Sequence, residues 1–129
     1  MEMDLRRNIQ KTFKQLYSRE NTEYSLSSIL ENGEDFFIHE DIIEPGNWTS
    51  HPHLHNHTDE CLYVLEGSVF AHFGKEIHHL RKGDFAKFPK GGEEYHGIEN
   101  RSLEKAKVLV IKKNIENDVV FSSSKSRAL

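Results

Sequence analysis

The sequence predicts an all-β domain, and three observations carry that prediction. Short apolar segments recur from Asp35 to Lys113, turn residues separate them, and no interval has room for a crossover helix. The segments are "DFFIHEDII", "CLYVLEG", "SVFAHF", "EIHHL", "DFAKF", "YHGIEN" and "KVLVIKK", with turns at Gly67, Gly74-Lys75, Lys82-Gly83 and Gly91-Gly92. In "FGKE" glycine takes the first central position of a two-residue turn, which suits a primed hairpin and makes its neighbours antiparallel. Sandwich, jelly roll and barrel are all compatible with this pattern.

Upstream the period changes. Leu5, Ile9, Phe13, Leu16 and Tyr17 recur at spacings of three and four, one stripe of a helix, with Asp4 as N-cap. Residues 1–23 are therefore expected to form a short N-terminal helical extension. Its stripe needs cover from the barrel rim or a second subunit, because a lone helix of this length is marginal in water. Residues 24–121 are assigned to the β domain. Residues 122–129, "SSSKSRAL", are small and polar and are expected to form a flexible tail.

Composition narrows the function classes. A chain of 129 residues with 36% apolar content suits one domain with a modest core. Seventeen basic against 21 acidic residues, net -4, supply no cationic face for a phosphate backbone, so nucleic acid is excluded as an expected partner. The single cysteine, Cys61, permits no intrachain disulfide, and a reducing, cytoplasmic location fits. The N-terminus lacks an apolar signal region and no window approaches the ~20 apolar residues of a spanning helix, so no membrane association is expected.

The chemistry concentrates in "HPHLHNHTDECLYVLEG", residues 51–67. In a strand, residues two apart share a face, so His53 and His55 project side by side and can share one cation. His51 and His57 have the same parity, but four such positions span about 20 Å, too far for one ion with bonds near ~2.1 Å. A surface histidine tract binding metal adventitiously is the competing account. Glu60 weighs against it. It heads a strand in which Glu60, Leu62 and Val64 share a face, and a carboxylate entering a core is costly unless paired or metal-bound. His96 in "YHGIEN" opens another strand and is a fourth candidate.

The stretch from Gly46 to Gly67 resembles the first cupin motif, G-x5-H-x-H-x3,4-E-x6-G, with His53, His55, Glu60 and Gly67 at its last four fixed places. Six residues rather than five separate Gly46 from His53. The second motif, G-x5-P-x-G-x2-H-x3-N, is similar to Gly83, Pro89, Gly91, His96 and Asn100, with four residues rather than two between Gly91 and His96. Together the motifs and their strands cover roughly residues 35–113, and the wording resembles small stand-alone cupins labelled mannose-6-phosphate isomerase-like. The resemblance implies a double-stranded β-helix, a jelly-roll barrel holding one divalent ion on His53, His55, Glu60 and His96. Three imidazoles and one carboxylate suit Fe, Mn, Ni, Co or Zn without choosing among them.

Other residues are weaker candidates. His51 and His57 are either proton-transfer groups beside the ligands or loop histidines. Tyr95 and Trp48 line the barrel mouth or simply pack, and Glu93 and Glu94 are a candidate base or a solvated pair. Cys61 and Tyr63, of opposite parity to Glu60, should point away from the metal. Lys87 and Lys90 are expected to face solvent, the alternative being a rim lysine that holds an anionic substrate, and His72, His78 and His79 are given no role.

Two functions of different class follow. One is a metalloenzyme, an oxygenase, isomerase or decarboxylase, acting on a small molecule inside the barrel. The alternative is a non-catalytic small-molecule or metal-binding sensor; the lack of an attached effector domain favours the enzyme. Pairing as a homodimer is expected from the resemblance and from the uncovered N-terminal stripe.

Overall fold

Alternation between apolar and polar positions builds strands, and strands need neighbours to satisfy their backbone groups. The computed structural model describes residues 1–19 and 22–123. Numbered in chain order, β1 (Lys14–Gln15), β4 (Leu26–Asn32), β5 (Phe36–Ile43), β7 (Glu60–Glu66), β10 (Phe85–Phe88) and β12 (Ala106–Lys113) form one sheet, ordered β1-β4-β5-β12-β7-β10. A second sheet contains β6 (His53–His55), β8 (Ser68–Phe73), β9 (Glu76–Arg81), β11 (His96–Glu99) and β13 (Val120–Ser122), ordered β13-β6-β11-β8-β9. A two-stranded ribbon, β2 (Ser18–Arg19) with β3 (Thr22–Glu23), lies apart from both. All the pairings are antiparallel, as the short connections require. The architecture is the double-stranded β-helix that the motifs imply.

The inward residues of both sheets make one core. β7 contributes Leu62 and Val64, and β12 contributes Ala106, Val108 and Val110. Across from them stand Val69 and Ala71 of β8 and Ile98 of β11. Leu62, Val64, Val69 and Val108 are fully buried, each worth roughly 1.5–3 kcal/mol against exposure. Gly67 turns β7 into β8 at φ +73, and a Cβ there would meet the Lys105 carbonyl at 3.0 Å. Where the chain passes from one sheet to the other, Val64 donates to the Asp84 carbonyl and Gly83 donates back to Val64, tying β7 to the start of β10.

The expected N-terminal helix is absent; among the described residues no helix forms. Residues 1–13 carry no regular structure and are held by polar tethers instead. The β4–β5 register shifts between Ile29 and Glu31, which leaves the Leu30 carbonyl out of the ladder, and Arg6 donates to it at 2.7 Å. Lys11 reaches Glu40 on β5 at 3.1 Å. A helix would bury its stripe only against a facing surface; here Leu5 and Ile9 stay exposed, Phe13 is half-buried, and Tyr17 packs on Tyr24 with ring centroids 5.0 Å apart.

At the other end, Ser122 and Ser123, expected in the flexible tail, are held: Ser122 pairs with His53, and Ser123 donates to the Pro52 carbonyl at 2.9 Å. Residues 124–129, the rest of that tail, lie outside the described residues. Among the described residues no helix is long and apolar enough to cross a membrane.

Candidate metal centre

Four side chains converge inside the barrel from three strands. β6 projects His53 and His55 on one face, β11 opens with His96 registered directly against His53, and β7 opens with Glu60. Their ligand atoms all lie within 4.8 Å of one another. Glu60 Oε1 stands 3.8 Å from His53 Nε2 and 3.5 Å from His55 Nε2, and Oε2 stands 3.3 Å from His96 Nε2. The two extra residues between Gly91 and His96 do not displace His96, because the β8 and β6 ladders on either side of β11 fix its position.

Each ring is oriented by a neighbour. His53 Nδ1 donates to the His51 carbonyl at 2.9 Å and His55 Nδ1 donates to Asp118 Oδ2 at 2.7 Å, which leaves both Nε2 lone pairs pointing at Glu60. Phe88, registered against Glu60 across β10 and β7, stacks on His96 with centroids 4.3 Å apart and planes 5° apart. His55 Nε2 and His96 Nε2 are sealed from solvent yet make no hydrogen bond. Buried imidazole nitrogens of this kind need an electrophile, and a divalent ion amid four such donors would supply it. The residues present therefore fit the ion that the motifs imply.

The electrostatics agree. Burial pushes the Glu60 carboxyl up, but His53, His55 and His96 outweigh it and hold Glu60 well below the usual carboxylate range. Burial pushes His96 down, against the pull of Glu60, which favours the neutral ring that a metal requires. For His55 burial acts downward too, but its bonds to Glu60 and Asp118 prevail and the pKa rises. Asp118 is lowered, its burial being outweighed by His55 and by the His57 amide.

The centre opens onto a cavity of about 530 Å³ that His53, His55 and Glu60 line together with Phe37, Ile98 and Val110. Lys112, beside Glu60 in the β12–β7 register, holds its Nζ 4.0 Å from Glu60 Oε1 and 5.0 Å above the Phe37 ring.

Several sequence candidates fall elsewhere. His51 is buried but donates through Nε2 to the Ser123 carbonyl at 2.7 Å, a structural tether. Trp48 packs against the outside of β11, over Gly97, where a Cβ would come within 2.8 Å of its ring. His57, Glu93, Glu94 and Tyr95 are exposed and do not line the cavity. Cys61 is half-buried on the outward parity; burial pushes its thiol up. Asp118, Phe88 and Lys112 escape a reading of the sequence alone. Lys112 has a signal, since it shares parity with Val108 and Val110 in "KVLVIKK".

A two-sheet antiparallel barrel enclosing three histidines and one glutamate defines a class of small jelly rolls whose interior is able to hold a metal ion. The cupin domain pattern matches residues 39–112, more than half of the chain, and the chain belongs to the cupin family. Among solved structures it is similar to a sugar phosphate isomerase of the cupin superfamily from Silicibacter pomeroyi, with TM-score 0.80, 24% identity, and coverage of 92% of this chain and 79% of that one. A putative sugar phosphate isomerase from Acidithiobacillus ferrooxidans matches with TM-score 0.66 and 29% identity over 75% of this chain and 65% of the other. The polyketide cyclase RemF from Streptomyces resistomycificus matches with TM-score 0.77 and 19% identity over 98% and 89%. No curated protein matches.

Proposed function

We propose that this cupin is a metal-dependent enzyme acting on a small molecule inside the barrel, with one Fe, Mn, Ni, Co or Zn ion on His53, His55, Glu60 and His96. One observation carries the proposal: four ligand atoms lie within 4.8 Å of one another, two of them sealed and unpartnered nitrogens, and three of the four residues, His53, His55 and Glu60, line a cavity sized for a metabolite. When bound, the ion would polarise a substrate oxygen; the protein holds its ligands in place and limits water. The likeness to a putative sugar phosphate isomerase at 29% identity supports a small, oxygen-rich substrate. A homodimer, no nucleic-acid partner and a reducing, cytoplasmic setting belong to the same proposal, on the uncovered Leu5 and Ile9, the net charge of -4 and the lone free Cys61.

The test is the metal content of untagged protein, by plasma mass spectrometry, beside a His53→Ala/His55→Ala double variant. Near-stoichiometric transition metal in the wild type and its loss in the variant are expected. A wild type that stays empty when all five ions are supplied overturns the proposal. Metal-dependent ligand stabilisation without turnover of any ligand would replace it with a sensor.

A further inference from the structure

The cavity wall formed by β4 and β5 carries a second buried polar group that the metal centre does not use. On β5 the inward positions after Phe37 are His39 and Asp41, and His39 Nδ1 donates to Asp41 Oδ1 at 2.7 Å. The same oxygen accepts from Ser27 Oγ at 2.5 Å, across the register that pairs Ser27 with Asp41. Asp41 is 2% exposed and His39 is 9% exposed. All three line the cavity that His53, His55 and Glu60 also line.

Packing does not account for this trio, because apolar residues would fill the same inward positions without desolvating a carboxylate. With Nδ1 committed to Asp41, the lone pair of His39 sits on Nε2, which bonds to no described residue. The register sets the separation. His39 pairs with Val110 and Val110 pairs with Leu62, one inward step from Glu60. β5 and β7 are thus two strand spacings apart, about 10 Å between backbones, and side chains reaching in from both leave room for a small molecule. Lys112, from the strand between them, adds a positive charge beside Glu60.

We infer that His39 is the acid–base residue of this cavity, positioned by Asp41 and Ser27, and that the substrates are small hydroxycarbonyl compounds; this rests on the metal-dependent reading above. His39 Nε2 takes a proton from the carbon bearing the hydroxyl. The C–H electron pair becomes the C=C bond of an enediolate, and the carbonyl pair moves onto its oxygen, on the side where Lys112 and Glu60 lie. Nε2–H then returns the proton to the neighbouring carbon while the hydroxyl proton passes to the adjacent former carbonyl oxygen. The old hydroxyl becomes the carbonyl, the old carbonyl becomes a hydroxyl, and the compound is isomerised with no oxidant consumed. Asp41 balances the imidazolium charge between the two transfers.

Acetohydroxamate, a bidentate anion shaped like an enediolate, is the probe. Zinc-loaded full-length protein is titrated with it by calorimetry, and diethyl pyrocarbonate modification of histidines is mapped by mass spectrometry with and without it. Saturable binding is expected. The probe should protect His39 from modification while the exposed His57, His78 and His79 react unchanged. His39→Gln should bind the probe about tenfold more weakly at equal zinc content. Asp41→Asn, which can present an N–H to Nδ1 and leave Nε2 protonated, should slow modification of His39 severalfold; a purely structural Asp41 would leave that rate alone. If the probe binds but neither protects His39 nor weakens in His39→Gln, His39 is structural and the inference fails. It fails equally if zinc loads and the probe does not bind. The wild-type map decides alone if His39→Gln does not fold, and a protein that takes up no zinc overturns the metal-dependent reading itself.

Discussion

Asp118 contributes no ligand atom, yet it aims His55. Its carboxylate fixes which nitrogen of the ring carries the proton, and its second oxygen accepts from the His57 amide at 2.9 Å. Asp118→Asn should lower metal affinity roughly 10- to 100-fold with little change in fold, read by competition against a chromophoric chelator. The same ring sets the pH dependence. Because the pKa of His55 is raised, its proton must leave before Nε2 can donate to an ion, so affinity should fall as pH falls, beginning above about 6.5. His96, pushed down by burial, stays neutral through that range and adds no opposing step. Zinc titrations at several pH values check the sign: affinity rising towards low pH would contradict it.

At the scale of elements, strand parity decides almost everything near the centre. A period of two in "ECLYVLE" places Glu60, Leu62 and Val64 on one face, and all three are buried while Tyr63 is exposed. Leu62 follows the candidate ligand Glu60 on that face and is fully buried, so Leu62→Ala should cost about 2–5 kcal/mol, measured by denaturant unfolding of the metal-free protein. Asn100 is legible from its resemblance to the last position of the second motif, not from parity. It is fully buried, donates to the carbonyls of Ile43 and Glu104 at 2.8 Å each, and accepts from the Ser102 amide and hydroxyl. His39 and Asp41 are hidden because "DFFIHEDII" mixes apolar and polar residues at both parities, so no alternation marks its inward face. Asp118 is hidden because it lies on a turn after β12, and a loop carries no periodicity that would aim it. The N-terminal stripe misleads because it shows what a helix would bury, not whether a surface exists to receive it.

For the whole molecule, the uncovered stripe bears on assembly. Leu5 and Ile9 are 56% and 44% exposed, and Leu16 and Leu26 beside the β1–β4 edge are 40% and 42% exposed. Gel filtration at micromolar concentration should give about 30 kDa, twice the 15.0 kDa chain, and Leu26→Glu should shift it towards the monomer. A wild-type mass near 15 kDa removes the dimer.

The pairing of β13 with β6 orders events during synthesis. The ligands from His53 to His96 leave the ribosome before Asp118 and before the strand that pairs with theirs. Until residues 118–123 are made, His55 has no carboxylate to fix its ring and His51 no carbonyl to hold its loop. A nascent chain halted at residue 117 would carry every ligand and still be a poor competitor for scarce ion. On the metal-dependent reading, capture of an ion would await the pairing of β13 with β6, not the arrival of the ligands.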